Sequence, residues 1–158
     1  MKKNIFTIVR SYTDWQDELK REAQEMVLSY LKKDYNLTIE TNLGEAKNSL
    51  GREVSRGIQF DAIISNVPPG IVQGSTYSSE EEKYILGYKK TLQYLGELKK
   101  IASSSGKRIP LIAYTSVKSQ FEPLFRQEGV DAIIYKVDVN TWKNEANQIK
   151  QALESLIQ

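Results

Sequence analysis

The stretch that decides the fold is FDAIISNVPPG, which occupies residues 60–70 of the chain. Its first six residues, 60–65, are mostly apolar, and such a short apolar run predicts a strand that is buried on both faces. Asn66 and Val67 follow this strand, and the two prolines and the glycine after them stop regular structure. The sequence therefore predicts a buried strand that ends at Asn66, directly before a loop.

Four further apolar runs of this kind occur along the chain, and each run is followed by a segment with helical periodicity. The five predicted strands occupy residues 5–9, 37–40, 60–65, 109–114 and 131–135. The five predicted helices occupy residues 14–33, 42–54, 79–102, 116–128 and 140 to the end of the chain. Alternating buried strands and helices predict an α/β protein with a parallel sheet between two helical layers, a three-layer α/β/α sandwich. Five strands fit the flavodoxin-like order 2-1-3-4-5, and we expect residues 1–158 to form a single domain.

Periodicity assigns one apolar face to the first predicted helix and one to the last. The face of the first helix contains Leu19, Ala23, Met26, Val27 and Tyr30. The face of the last helix contains Trp142, Ala146, Ile149, Ala152 and Leu156. Ser79 and the glutamates after it are typical of a helix start, and Gly129 is typical of a helix end.

The composition excludes several classes of function. The chain has neither cysteine nor histidine, which excludes disulfides, thiolate metal sites and every catalytic arrangement that needs a histidine base. Its 22 lysines and arginines nearly balance 20 aspartates and glutamates, and the formal net charge of +2 predicts neither a nucleic-acid partner nor a membrane partner. No stretch approaches the about 20 apolar residues of a membrane span, and no signal peptide is evident, so we expect a cytoplasmic protein.

Polar side chains follow the predicted strands at the edge where their carboxyl ends meet, which is where sheets of this kind bind ligands. These residues are Arg10, Ser11, Tyr12 and Asp14 after the first strand, Asn66 after the third, Thr115 and Ser116 after the fourth, and Lys136 after the fifth. No strand is followed by a phosphate-binding glycine loop such as GxGxxG, which argues against a bound nucleotide or flavin. We therefore predict no cofactor.

Three segments at this edge resemble the response-regulator receiver domains, the CheY-like members of this fold class. Residues 60–70 are similar to the family's third strand, in which an acceptor aspartate precedes a loop with proline and glycine. Residues 109–116 resemble the fourth strand with its switch hydroxyl, and residues 129–136 resemble the fifth strand with its lysine. The order of elements matches the family from end to end.

The resemblance places Asn66 at the phosphoacceptor position, Thr115 at the switch hydroxyl and Lys136 at the lysine that pairs with the phosphoryl group. Two departures from the family pattern matter. Asn66 is a carboxamide and has no anionic oxygen that could attack a phosphoryl group. The family's acidic pair, which holds Mg²⁺, is replaced by residues 10–12 (RSY), and the nearest carboxylate is Asp14.

These departures predict a pseudo-receiver, a receiver fold that is used for binding, is not phosphorylated, and has no catalytic residue and no metal. Receiver domains bind partners or dimerise through the surface of the fourth and fifth strands and their helices. The matching side chains are Tyr114, Phe121, Phe125, Tyr135 and Trp142. We therefore predict protein partners, with a homodimer through the fourth helix, the fifth strand and the fifth helix as one form.

Each pocket residue also has a purely structural interpretation, which the sequence leaves open. Asn66 could hydrogen-bond the backbone of its own turn. Thr115 and Ser116 could cap the helix that follows them. Lys136 could be a solvated lysine at the end of its strand, or it could pair with Asp14 in an internal ion pair.

A second, fainter resemblance suggests an enzyme. Residues 5–15 are similar to the first box of TIR-type domains, some of which cleave NAD with a glutamate on the helix after the third strand. Glu81 or Glu82 would take that position. The tryptophan and cysteine that surround this glutamate in the family are absent here.

Overall fold

The computed structural model describes residues 1–70, 77–103 and 106–157. Its sheet contains the strands β1 (Lys3–Ile8), β2 (Tyr35–Glu40), β3 (Ala62–Ser65), β4 (Leu111–Thr115) and β5 (Ala132–Tyr135). Every pair of neighbouring strands is parallel, and the strand order is β2-β1-β3-β4-β5. The predicted flavodoxin-like order is confirmed.

The helices alternate with the strands, as the sequence predicts. They are α1 (Glu18–Lys32), α2 (Ala46–Ser55), α3 (Glu80–Ala102), α4 (Glu122–Gln127) and α5 (Trp142–Leu156). Short 3-10 turns precede four of them, at Trp15–Asp17, Leu43–Glu45, Ser119–Phe121 and Val139–Thr141. None of the helices in the described part of the chain is both long enough and apolar enough to cross a membrane.

The sheet carries a hydrophobic core on each face, because successive residues of a strand point to opposite sides. Phe6 and Ile63 pack on one side with α2, α3 and α4, and Ile5 and Ile64 pack on the other side with α1 and α5. Full burial of each such side chain contributes about 1.5–3 kcal/mol to stability. The two cores fix the sheet between its helical layers and hold the carboxyl ends of the strands at one edge.

The buried face of α1 differs from the predicted one. It is formed by Gln24, Val27 and Leu31, whereas Leu19 and Met26 are exposed. Met26 lies about 100° around the helix from Val27, so the apolar residues span a wider arc than the neighbouring elements cover. The predicted face of α5 is confirmed, since its five residues are buried or pack against the core.

α4 ends at a glycine, as the sequence predicts. Gly129 has a φ of +97°, a conformation that glycine adopts without a steric penalty. Its N–H donates to the carbonyl of Arg126 at 3.1 Å, and the N–H of Val130 donates to the carbonyl of Phe125 at 3.1 Å. This paired capping turns the chain directly into β5, which brings Lys136 to the carboxyl edge of the sheet.

Candidate functional site

An open pocket of about 430 Å³ lies at the carboxyl edge of the sheet. Asn66, Thr115 and Lys136 all line it. Ser11 and Tyr12 line the same pocket, so the fold brings together five of the six residues that the sequence predicts for the site. The sixth, Asp14, does not line it.

Asn66 is held at the pocket by its backbone. Its N–H donates to the carbonyl of Ile8 at 2.9 Å, and its carbonyl accepts from the hydroxyl of Ser65 at 2.8 Å. Among the described residues, its carboxamide makes no hydrogen bond, so the structure does not show the predicted bond to its own turn. The carboxamide therefore keeps its donor and acceptor groups for whatever enters the pocket.

Thr115 locks the loop that follows Asn66. Its side chain is buried, and its hydroxyl donates to the carbonyl of Val67 at 3.1 Å. Neither Thr115 nor Ser116 caps the next helix, because the 3-10 turn before α4 begins after Lys118, which makes no side-chain cap bond. The predicted helix of residues 116–128 is therefore too long at its start.

Lys136 does not pair with Asp14. The carboxylate of Asp14 instead accepts from the N–H of Gln16 at 3.1 Å and caps the turn before α1. The Lys136 Nζ atom lies 4.8 Å from the centre of the Tyr114 ring. The pKa of Lys136 is lowered to about 8, first by burial and then by the positive charge of Arg10, while Glu145 acts in the opposite direction.

Arg10 brings a second cation to the pocket. Its guanidinium carbon lies 5.2 Å from the centre of the Tyr12 ring. The side-chain amide of Gln24 donates to the carbonyl of Arg10 at 2.8 Å, which fixes this loop against α1. The sequence offered a signal for Gln24, since it occurs at helical spacing with the buried Val27 and Leu31.

Glu145 is buried beside the pocket, and sequence analysis missed it. One carboxylate oxygen accepts from the hydroxyl of Tyr114 at 2.8 Å. The other accepts from the hydroxyl of Thr141 at 2.5 Å and from the N–H of Val137 at 3.3 Å. Burial and the adjacent Glu145 strongly raise the pKa of Tyr114. A signal existed, because Glu145 lies four residues before Ile149 on the apolar face of α5.

The chemistry of the lining residues does not fit a magnesium ion. Magnesium sites use carboxylate oxygens, and none of the described residues that line the pocket is acidic. The ionic groups of the lining are instead two cations, Arg10 and Lys136. Across the described ranges, no group of three or more acidic side chains is arranged to hold a metal.

Three of the five residues predicted for the interaction surface are buried in the structure. Tyr114, Phe121 and Phe125 are buried, because Phe121 and Phe125 pack on Tyr88 of α3, and Tyr114 packs in the core beside α5. Tyr135 and Trp142 are only partly buried. The hydroxyl of Tyr135 donates to Glu122 at 2.7 Å.

The two glutamates of the enzyme hypothesis lie in the first turn of α3. Glu82 accepts from the N–H of Ser78 at 2.7 Å, and its own N–H donates to the hydroxyl of Ser79 at 3.1 Å. Hydrogen bonds from Ser78 lower the pKa of Glu82. Glu82 therefore stabilises the start of the helix. The predicted cap at Ser79 is confirmed, because its hydroxyl accepts from the N–H of Glu82. Glu81 is exposed.

No protein-family model matches the chain, and no curated protein matches it. Solved structures do match. A response regulator receiver domain from Rhodospirillum rubrum is 16% identical, with a TM-score of 0.56 over 98% of this chain and 95% of that one. A response regulator from Thermotoga maritima is 13% identical, with a TM-score of 0.52 over 98% of this chain and 99% of that one.

A protein from Burkholderia pseudomallei described as pilus assembly-related is also similar in structure. It is 13% identical, with a TM-score of 0.51 over 99% of this chain and 92% of that one. At these identities the likeness concerns the fold. The chain is a flavodoxin-like α/β protein with the topology of response-regulator receiver domains.

Proposed function

We propose that the chain is a signalling module of the receiver type that is not phosphorylated and acts by binding other proteins. The observation that carries the proposal is that Asn66 and Arg10 both line the pocket. The sequence resemblance assigns Asn66 to the acceptor position and residues 10–12 to the stretch of the acidic pair. Structural similarity to receiver domains supports the signalling class.

The chemistry of these two residues supports the absence of phosphotransfer. A carboxamide nitrogen or oxygen lacks the negative charge that makes a carboxylate a nucleophile. In-line transfer from a phosphodonor also needs a cation that neutralises the developing charge, and Mg²⁺ needs carboxylate ligands. Arg10 and Lys136 would repel that ion. Incubation with acetyl phosphate and Mg²⁺ should therefore leave the intact mass of the protein unchanged.

Three exposed apolar side chains in or beside α1, which we call the docking patch, support a protein-binding role. Trp15 is 80% exposed, Leu19 is 65% exposed and Val137 is 78% exposed. Val137 lines a small pocket with Lys20 and Ala23 of α1, so the loop after β5 lies beside this helix. Large apolar side chains that cluster at a surface are typical of a docking site. We propose that partners contact this patch, rather than the face that the sequence predicted.

Site-specific photo-crosslinking in cells tests the location of the docking site. A photoreactive residue at position 19 should give a discrete adduct with a protein, and an adduct of twice the chain mass would identify a second copy. The matched control is position 127, which is exposed at the end of α4 on the sequence-predicted face. An adduct at position 127 with none at position 19 would contradict the proposed patch and would place the interface on the sequence-predicted face.

A further inference from the structure

The charge of the pocket is opposite to that of a metal-dependent phosphoacceptor site. Arg10 and Lys136 both line it, and every other described lining residue is uncharged. The two cations are close enough that Arg10 lowers the pKa of the Lys136 amine. Their mutual repulsion would be relieved by an anion between them, because an opposite charge within a few ångströms favours both ionised forms.

Glu145, the acidic side chain that acts on Lys136, is engaged elsewhere. Its two oxygens accept hydrogen bonds from Tyr114, from Thr141 and from the N–H of Val137. Lys136 itself takes part in no ion pair within the described residues. Glu145 therefore offsets only part of the charge of Lys136, and the pocket keeps an excess of positive charge from Arg10 and Lys136.

Neutral hydrogen-bonding groups complete the lining. The Asn66 carboxamide can donate, and Ser11 and Ser116, which carry hydroxyl donors, line the same pocket. Thr115 is committed to the carbonyl of Val67. A guanidinium, an amine, an amide and hydroxyl donors are the groups that bind the oxygens of phosphates and carboxylates in proteins.

We propose that this pocket reversibly binds a small molecule that carries an oxyanion, either a phosphate or a carboxylate group. Arg10 and Lys136 would hold this oxyanion together. The inference rests on the proposed function, because it assigns the unphosphorylated pocket a non-covalent ligand. Occupation of the pocket would restrain the β1–α1 loop at Arg10 and the β5–α5 loop after Lys136. The latter loop carries Val137 of the docking patch, so the ligand would regulate partner binding.

Two anions test the proposal and separate the two ligand sources. Inorganic phosphate or sodium acetate is titrated into the ¹⁵N-labelled protein at constant ionic strength, with sodium chloride as the reference and without Mg²⁺. We expect saturable shifts of the Ser11, Asn66 and Ser116 amides with at least one of the anions. Shifts with phosphate alone identify a phosphate ligand, shifts with acetate alone identify a carboxylate, and shifts with neither overturn the proposal.

Substitutions then test the two cations. Arg10→Gln should weaken the binding at least about tenfold, which corresponds to the loss of one charge-assisted hydrogen bond. Lys136→Met should have an effect of similar size. Arg56→Gln removes the same charge from an exposed position after the end of α2, at the opposite edge of the sheet, and should leave the affinity unchanged. Equal affinity in Arg10→Gln, Lys136→Met and the unmodified protein would overturn the proposal.

A negative result in these titrations would not contradict the proposed function. They contain no phosphodonor, so a negative result removes the anionic ligand and leaves the unphosphorylated binding module in place. A covalent mass gain with acetyl phosphate would instead remove the proposed function. Removal of the anion by dialysis should return every shifted amide to its starting position, and a shift that persists would contradict reversible binding.

Discussion

The Lys136 amine lies in surroundings that oppose its charge. Its Nζ atom contacts the face of the Tyr114 ring, which favours the cation, but burial and Arg10 both disfavour it. Burial dominates, so the pKa falls from an ordinary 10.5 to about 8 although Glu145 acts in the other direction. Folding the protein with this amine protonated therefore costs free energy.

Lys136→Met should raise the free energy of unfolding at pH 7, because an unbranched apolar side chain replaces a charge that burial disfavours. Below pH 8 both states hold the proton, and the full cost is present in the unmodified protein. Between about pH 8 and pH 10.5 the folded state releases its proton first, so the unmodified protein becomes relatively more stable. The advantage of the variant should therefore shrink across this window. Urea unfolding at pH 7 and pH 10 measures the difference in the free energy of unfolding between the two proteins. An advantage of the variant that is absent or independent of pH would contradict the lowered pKa of Lys136.

The sequence located the pocket residues but not all of their partners. Asn66, Thr115 and Lys136 were predictable, because parallel strands bring their carboxyl ends to one edge of the sheet. The contact of Lys136 with the Tyr114 ring was not, because it depends on side-chain packing between β4 and β5. Glu145 was missed because a charged residue on a helix is normally solvated. Here the side chain is buried, and hydrogen bonds compensate for its loss of solvent.

At the scale of elements, the loop after Asn66 is fixed by a close approach to α3. The N–H of Gly70 donates to the carbonyl of Gly87 at 2.8 Å, and the hydroxyl of Thr91 donates to the carbonyl of Pro68 at 2.9 Å. A Cβ atom on Gly87 would lie 2.6 Å from the carbonyl oxygen of Gly70. α3 therefore needs a glycine here, and this contact positions one wall of the pocket.

Gly87→Ala should destabilise the protein by about 1–3 kcal/mol, the usual cost of overpacking, since two backbone segments must separate. The matched control is Gly96→Ala in the same helix, where a Cβ atom meets no other atom within 4 Å. That control should gain up to about 1 kcal/mol, because alanine is the better helix former. Urea unfolding of both variants measures the difference. Equal stability of the two would contradict the close packing of α3 against the loop.

Most element boundaries were predictable, and the exceptions have physical causes. Gly129 and Ser79 cap helices as predicted, because their cap preferences depend on local geometry. The start of α4 was placed too early, because the backbone at Lys118 is extended and the 3-10 turn Ser119–Phe121 precedes the helix. The exposed Leu19 and Met26 were placed inside, because periodicity identifies an apolar arc and not the part of it that neighbours cover.

At the scale of the whole molecule, the strand order followed from the sequence because five buried runs alternate with five helices. Exposure of the predicted interaction surface did not follow, because three of its five residues are buried in the core. The strand order of this chain therefore does not determine which side chains line its pocket. The sheet has the strand order of receiver domains, whereas the ionic side chains that line its pocket are two cations, Arg10 and Lys136.

The intact mass of the protein after incubation with acetyl phosphate and Mg²⁺ tests the central claim most directly. We expect no gain in mass, either for the unmodified chain or for Asn66→Asp, because Arg10 and Ser11 supply no carboxylate for the metal. A receiver domain with its acceptor aspartate serves as the positive control and should gain one phosphoryl group. A Mg²⁺-dependent gain of one phosphoryl group by the unmodified chain would contradict the account.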